Sequence, residues 1–147
     1  MDVKAELYKT AASTFEEVGF MLLSPDFNDR HRQAGLEAAV SVDFDGPLSG
    51  KLIMAAYGDL LPTLAANMLG DGGIPPVDKQ LDAFCEIANI VCGNLIPRIA
   101  GKVSVFKVAA PKLMQTDGLA GCMREPGGVE VQLPLEEGRA DVTLFIR

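Results

Sequence analysis

Apolar and polar residues alternate along this chain in two periods, one near 3.6 and one of 2, so helices and strands can be placed in turn. The longest helical stretch is Val77–Gly101 (VDKQLDAFCEIANIVCGNLIPRIAG), with apolar positions at Leu81, Phe84, Cys85, Ala88, Val91, Cys92, Leu95 and Ile99. This i, i+3, i+4, i+7 spacing predicts one buried stripe roughly 120° wide. Away from the stripe lie Asp82, Glu86, Asn89 and Gly93, spaced i, i+4, i+7 and i+11. Residues so spaced form a line on one side of a helix. Such a line is most often a solvated face. Here Ile87 and Ile90 fall beside it and off the stripe, which makes the face more apolar than plain solvation requires. Pro97 removes the helical bond to the Gly93 carbonyl and predicts a kink there.

The remaining elements follow in order. Met1–Leu23 reads as a helix with Leu7, Ala11, Thr14, Val18 and Leu22 inward, stopped by Ser24-Pro25. Pro25–Arg32 reads as a polar loop whose His31 is solvated. Leu36–Phe44 and Leu48–Tyr57 read as strands of an antiparallel hairpin across Asp45-Gly46-Pro47. Gly58–Leu69 reads as a short helix capped by Asp59, with Pro62 in its first turn. Gly70–Pro76 is loop, and Asp78 is placed to cap the helix after it. Val103–Ala109 reads as a strand closed by Pro111. Lys112–Gly128 is irregular and glycine-rich. Val129–Leu135 and Ala140–Ile146 form a last hairpin, with Pro134 pointing to an edge position or a bulge.

Composition narrows the chemistry. The 147 residues fit one domain, and 48% apolar with 6% aromatic content makes the core aliphatic. A net charge of −7 opposes non-specific binding to nucleic acid or anionic membrane. No continuous apolar run reaches the length of a membrane span, and the opening MDVKAELYKT does not read as a signal peptide. Three cysteines without metal-type spacing suit a reducing, cytoplasmic setting, and Cys85 and Cys92 read as core packing. His31 is the one histidine, so no histidine triad or multi-histidine metal site can form. Gly70, Gly72 and Gly73 lack the lysine of a phosphate-binding loop.

The two halves echo each other. Phe15–Phe20 (FEEVGF) aligns with Phe84–Asn89 (FCEIAN) at one constant offset, which places Ser13, Glu17 and Phe20 where the second copy has Asp82, Glu86 and Asn89. Alternating strands follow each helix. The expected architecture is α+β: a pseudo-duplicated helix-plus-strands unit with helices packed on a mostly antiparallel sheet.

The segment DAFCEIANIVCGN, with Asp82-x3-Glu86-x2-Asn89, resembles the D/S-x3-E-x2-N signature of the CheC/CheX/FliY family of chemotaxis phosphatases. Having one such motif rather than two, the chain looks more like CheX than CheC. It departs from the family pattern at the downstream proline, since Pro111 stands one residue short of the usual spacing. The resemblance implies a phosphatase acting on the aspartyl-phosphate of a CheY-like response regulator. Asn89 would orient the attacking water and Glu86 would pair with the regulator's lysine. Asp82, Ile87, Ile90 and Gly93 would contact the partner. It also implies that the chain needs no cofactor of its own, that Mg²⁺ is held by the regulator, and that two chains pair through exposed strand edges near Pro134 or the terminal strand. A non-catalytic adaptor that binds a regulator or flagellar-switch component is the alternative. A small-molecule sensor using the glycine-rich 117–128 region is a third.

Overall fold

The computed structural model describes residues 2–70, 72–101, 105–115, 117, 119 and 125–147. The elements run α1 (Val3–Glu17), α2 (Asp29–Arg32), β1 (Leu36–Asp45), β2 (Gly50–Gly58), α3 (Leu60–Leu69), α4 (Val77–Ala100), β3 (Lys107–Val108), β4 (Lys112–Leu113), β5 (Gly128–Pro134) and β6 (Gly138–Ile146). The strands form one antiparallel sheet in the order β3-β1-β2-β6-β5, with β4 also on β1. The two long hairpins meet along their second strands, β2 against β6, with Met54 opposite Val142. Each unit is thus a helix followed by a hairpin, and α1 and α4 pack against each other.

Alternation along the strands sends Val40, Val42, Leu52, Met54, Val142 and Leu144 into the main core, together with Leu7 and Phe15 of α1 and Phe84, Val91 and Leu95 of α4. The residues of opposite parity are not left to water. Ala39, Ile53, Ala55 and Phe145 form a second, smaller cluster with Leu119. Near it Arg139, which is 8% exposed, donates to the Asp141 carboxylate from Nε (2.8 Å) and NH2 (3.2 Å), and to the His31 carbonyl (2.6 Å).

Several expectations need correcting. Helix α1 stops at Glu17, short of Leu23, and Leu22 is 59% exposed. A Cβ at Gly19 would lie 2.7 Å from Leu64 Cδ1, so the chain leaves the helix where it passes close against α3. Phe20 therefore lies beyond the helix, and the Ser13/Glu17/Phe20 copy is not a helical line. His31 is fully buried on the short helix α2. Its Nε2–H donates to the Leu135 carbonyl (2.9 Å) and its Nδ1 accepts from the Asn28 N–H (3.1 Å).

Asp59 precedes α3 but its side chain makes no cap; Glu37 of β1 does so instead. Asp78 sits in the first turn of α4, and the cap position belongs to Pro76. Of the stretch expected as a strand at 103–109, only Lys107–Val108 pairs, and 102–104 lie outside the described residues. The terminal strand β6 is interior, between β2 and β5, so it offers no edge. β5 is one edge of the sheet, with Pro134 at its end opposite Arg139. By length and mean hydropathy alone α4 would pass as a membrane span, but its apolar side is built into this core.

Candidate functional site on helix α4

α4 is a helix because its apolar positions recur at the helical spacing and find cover along its whole length. Ala83, Phe84, Ile87, Ala88, Val91, Cys92, Leu95 and Ile96 are buried. The stripe is turned from the expected one. Leu81, Cys85 and Ile99 are only half-buried, while Ala83, Ile87 and Ile96 are inside. The physical cause is α3, which packs along one flank of α4 while α1 packs on another. A flank that a lone amphipathic helix would leave to water is covered. Ile87 is consequently a core residue, fully buried, and not a surface contact as its off-stripe position had implied.

The polar line is exposed over its first half and partly covered over its second. Asp82 and Glu86 are exposed, and Asn89, Ile90 and Gly93 are half-buried. At 1.5 Å per residue, Asp82 to Gly93 spans about 16 Å of helix surface. None of the Asp82, Glu86 and Asn89 side chains makes a hydrogen bond or ion pair with another described residue. Nothing lies within 4 Å of where a Cβ on Gly93 would stand, so the line ends in open space. Beside its first half runs a groove lined by Met68 and Leu69 of α3 and by Lys79, Asp82, Ala83 and Glu86 of α4. The pattern along the chain did not mark Met68 and Leu69 as part of this surface, because only tertiary packing brings α3 there.

Electrostatics leave the carboxamide and carboxylate as the reactive-looking groups. Burial pushes the Cys92 thiol up to about 12, with Asp43 adding to it. Burial raises Cys85 as well, helped by the charge of Asp82. Both thiols stay protonated at neutral pH, so neither supplies a nucleophile. Cys122 lies outside the described residues. Among the described residues no three His, Cys, Asp or Glu side chains gather at a metal-sized site. A larger recess lies elsewhere, by the β1–β2 turn, lined by Asp43, Asp45, Ser49, Lys107 and Arg147 among others; no α4 residue lines it, and Ser49 spends its hydroxyl on Asp45 (2.5 Å). The α4 line is therefore an open polar strip with a carboxylate and a carboxamide one turn apart, free to meet groups brought by another molecule.

The family model for the chemotaxis phosphatase CheX matches residues 38–131, well over half of the chain and all of α4. The chain belongs to the CheX family. No curated protein matches its sequence. Solved structures with this fold include CheX from Desulfovibrio desulfuricans, 12% identical with a TM-score of 0.74, over 100% of both chains. CheX from Vibrio vulnificus is 17% identical with a TM-score of 0.71, over 100% of this chain and 97% of that one. The CheX of a Borrelia burgdorferi CheX–CheY–BeF3–Mg complex is 15% identical with a TM-score of 0.68, over 99% of this chain and 98% of that one. At these identities the structures establish the CheX fold, with helices on a mostly antiparallel sheet.

Proposed function

We propose that this CheX-family chain hydrolyses the aspartyl-phosphate of a CheY-like response regulator, using Asn89 to orient the attacking water. The observation that carries this reading is the pair Glu86 and Asn89 on the outer face of α4, with neither side chain bonded to another described residue. A solved relative from Borrelia burgdorferi is a CheX bound to CheY, BeF3 and Mg, and that points to the same class of partner.

An acyl phosphate is already activated, so what it lacks is a placed nucleophile. Water attacks phosphorus, the bond from phosphorus to the aspartyl oxygen breaks, and the products are inorganic phosphate and a free carboxylate. A carboxamide holds such a water by donating and accepting at once, without competing for its proton. Glu86 pairs with the regulator's lysine and fixes the register of α4 over the phosphate. Asp82 contacts the partner at the edge, Ile90 lends apolar contact, and Gly93 gives the regulator's loops room. The phosphate charge is met by the regulator's own Mg²⁺ and lysine, so this chain supplies geometry rather than a metal.

The test is the decay of a phosphorylated CheY-like regulator with wild type, Asn89→Ala and no added protein. Faster decay that disappears in Asn89→Ala supports the reading, and full activity in that variant sinks it. A regulator that binds with an unchanged phosphate lifetime identifies an adaptor. The edge strand β5 is where two copies would join sheet to sheet. Sedimentation at several concentrations checks that pairing, and a constant monomer mass would rule it out.

A further inference from the structure

Phe20 occupies a backbone position that disfavours it and gains no burial in return. Helix α1 closes with Val18 N–H donating to the Thr14 carbonyl (2.9 Å) and Met21 N–H donating to the Phe15 carbonyl (2.9 Å). The second bond reaches back six residues, one further than the wide bond of a Schellman end, and it closes over a left-handed residue just before its donor. Phe20 supplies it with φ of 53°, the one described residue other than glycine with a positive φ. Glycine is the usual occupant, because any Cβ crowds the backbone there. Packing the ring inward would offset the strain. Instead Met21 is buried and the Phe20 ring is 70% exposed.

The place of Phe20 is set by contacts. The Asn67 side-chain amide donates to the Gly19 carbonyl (2.9 Å), which clamps the end of α1 onto α3. The next residue of α3, Met68, lines the groove that holds Asp82 and Glu86. The segment that carries Phe20 is thus tied to the helix that walls the groove beside Asp82 and Glu86. Glu16 and Glu17, just before Phe20, are exposed, as are Asp82 and Glu86. An exposed apolar ring that follows two exposed carboxylates fits a partner with an apolar pocket rimmed by lysine or arginine. It does not fit a second copy of this chain, whose net charge of −7 would set acid against acid.

We propose that Phe20 is a specificity anchor for the response regulator, filling an apolar pocket rimmed by basic side chains beside the regulator's phosphorylation site. The inference rests on the proposed function and adds the residue that selects the partner. An exposed aromatic that becomes fully desolvated in a partner's pocket is the kind of side chain that carries binding energy out of proportion to its number.

The experiment uses Phe20→Gly and Phe20→Asn, the two replacements most at ease in a left-handed position, with wild type and Asn89→Ala alongside. The probe is a CheY-like regulator loaded with BeF3 and Mg²⁺ for binding, and the same regulator phosphorylated for turnover. Both Phe20 variants should bind about 30-fold more weakly, the loss expected of a hot-spot residue. Their turnover in the saturated complex should stay within about twofold of wild type, since the variants leave the α4 line intact. Phe20→Gly should also melt about 3 °C higher than wild type, because the backbone strain is gone. Asn89→Ala should show the opposite split, with binding kept and turnover lost. Wild-type binding in both Phe20 variants would overturn the anchor and leave the phosphatase reading standing. A wild-type protein that neither binds nor dephosphorylates CheY-like regulators would overturn both.

Discussion

Glu37 Oε1 accepts the backbone N–H of Leu60 at 2.6 Å, and the same carboxylate accepts from Leu61 N–H at 3.3 Å. A strand side chain thus caps helix α3, where the adjacent Asp59 makes no side-chain bond. Burial raises the Glu37 carboxyl above its ordinary 4.5, the two N–H donors pull it down only in part, and Asp59 adds to the rise. A carboxyl raised by folding contributes most below its unfolded value and loses that contribution as pH climbs through the folded value. Glu37→Gln keeps a carbonyl to accept the bond and has no charge to desolvate. Its stability relative to wild type should therefore grow between about pH 4 and about pH 7, read from urea midpoints across that range. Glu37→Ala should cost about 1 kcal/mol at the low end of it, as lost helix caps do.

The Arg139–Asp141 pair should behave as a unit. Both side chains are nearly inaccessible, and the guanidinium also lies over the Tyr57 ring at 4.0 Å. Burial raises the Asp141 carboxyl, and its bonds to Arg139 draw it partway back. Arg139→Met alone leaves a buried carboxylate without its partner and should cost about 3–5 kcal/mol. Adding Asp141→Leu should recover most of that loss, because no unpaired charge remains. A double-mutant cycle by chemical denaturation measures the coupling.

Ile87 and Ile90 should part company. Ile87→Ala empties a fully buried site and should destabilise by about 2–5 kcal/mol. Ile90 is half-buried, and Ile90→Ala should cost less than half as much while weakening regulator binding. Thermal melts of the two variants, paired with a binding measurement, separate a core residue from a contact.

Gly93 should be worth more to the partner than to the fold. With nothing within 4 Å of a Cβ there, Gly93→Ala should stabilise the helix by about 1 kcal/mol. Gly93→Gln should fold as well as wild type, yet bind the regulator at least tenfold more weakly by blocking close approach. A Gly93→Gln variant that binds and turns over normally would remove Gly93 from the interface.

The parts legible in the chain are those governed by neighbours in sequence. The β1–β2 and β5–β6 hairpins, α3 and the span of α4 came from periodicity, and the polar line of Asp82, Glu86, Asn89 and Gly93 came from spacing on α4. What escaped depends on contacts between distant segments. His31 looked like a loop residue because its acceptor, Leu135, is 104 residues away. Ile87 looked peripheral because α3, which widens the buried arc of α4, is invisible to a helical wheel. Helix α1 looked longer because its apolar spacing continues to Leu22, while the helix ends at Glu17 and Gly19, lacking a side chain, passes close against Leu64 of α3. Asp59 looked like the cap of α3 because Glu37, which does the work, sits on another element.

The meeting of β2 and β6 in the middle of the sheet bears on how the protein comes off the ribosome. Gly50 pairs with Ile146 and Gly58 with Gly138, so nearly the whole second unit is made between the two partners. The first hairpin emerges with its inner edge bare and waits for the last strand of the sheet to be synthesised. Closing so long a loop slows folding, and an unpaired inner edge is open to pairing with other nascent chains. Assembly of the core therefore waits for β6, and the bare edge of β2 stays open to mispairing in the interval between the two hairpins.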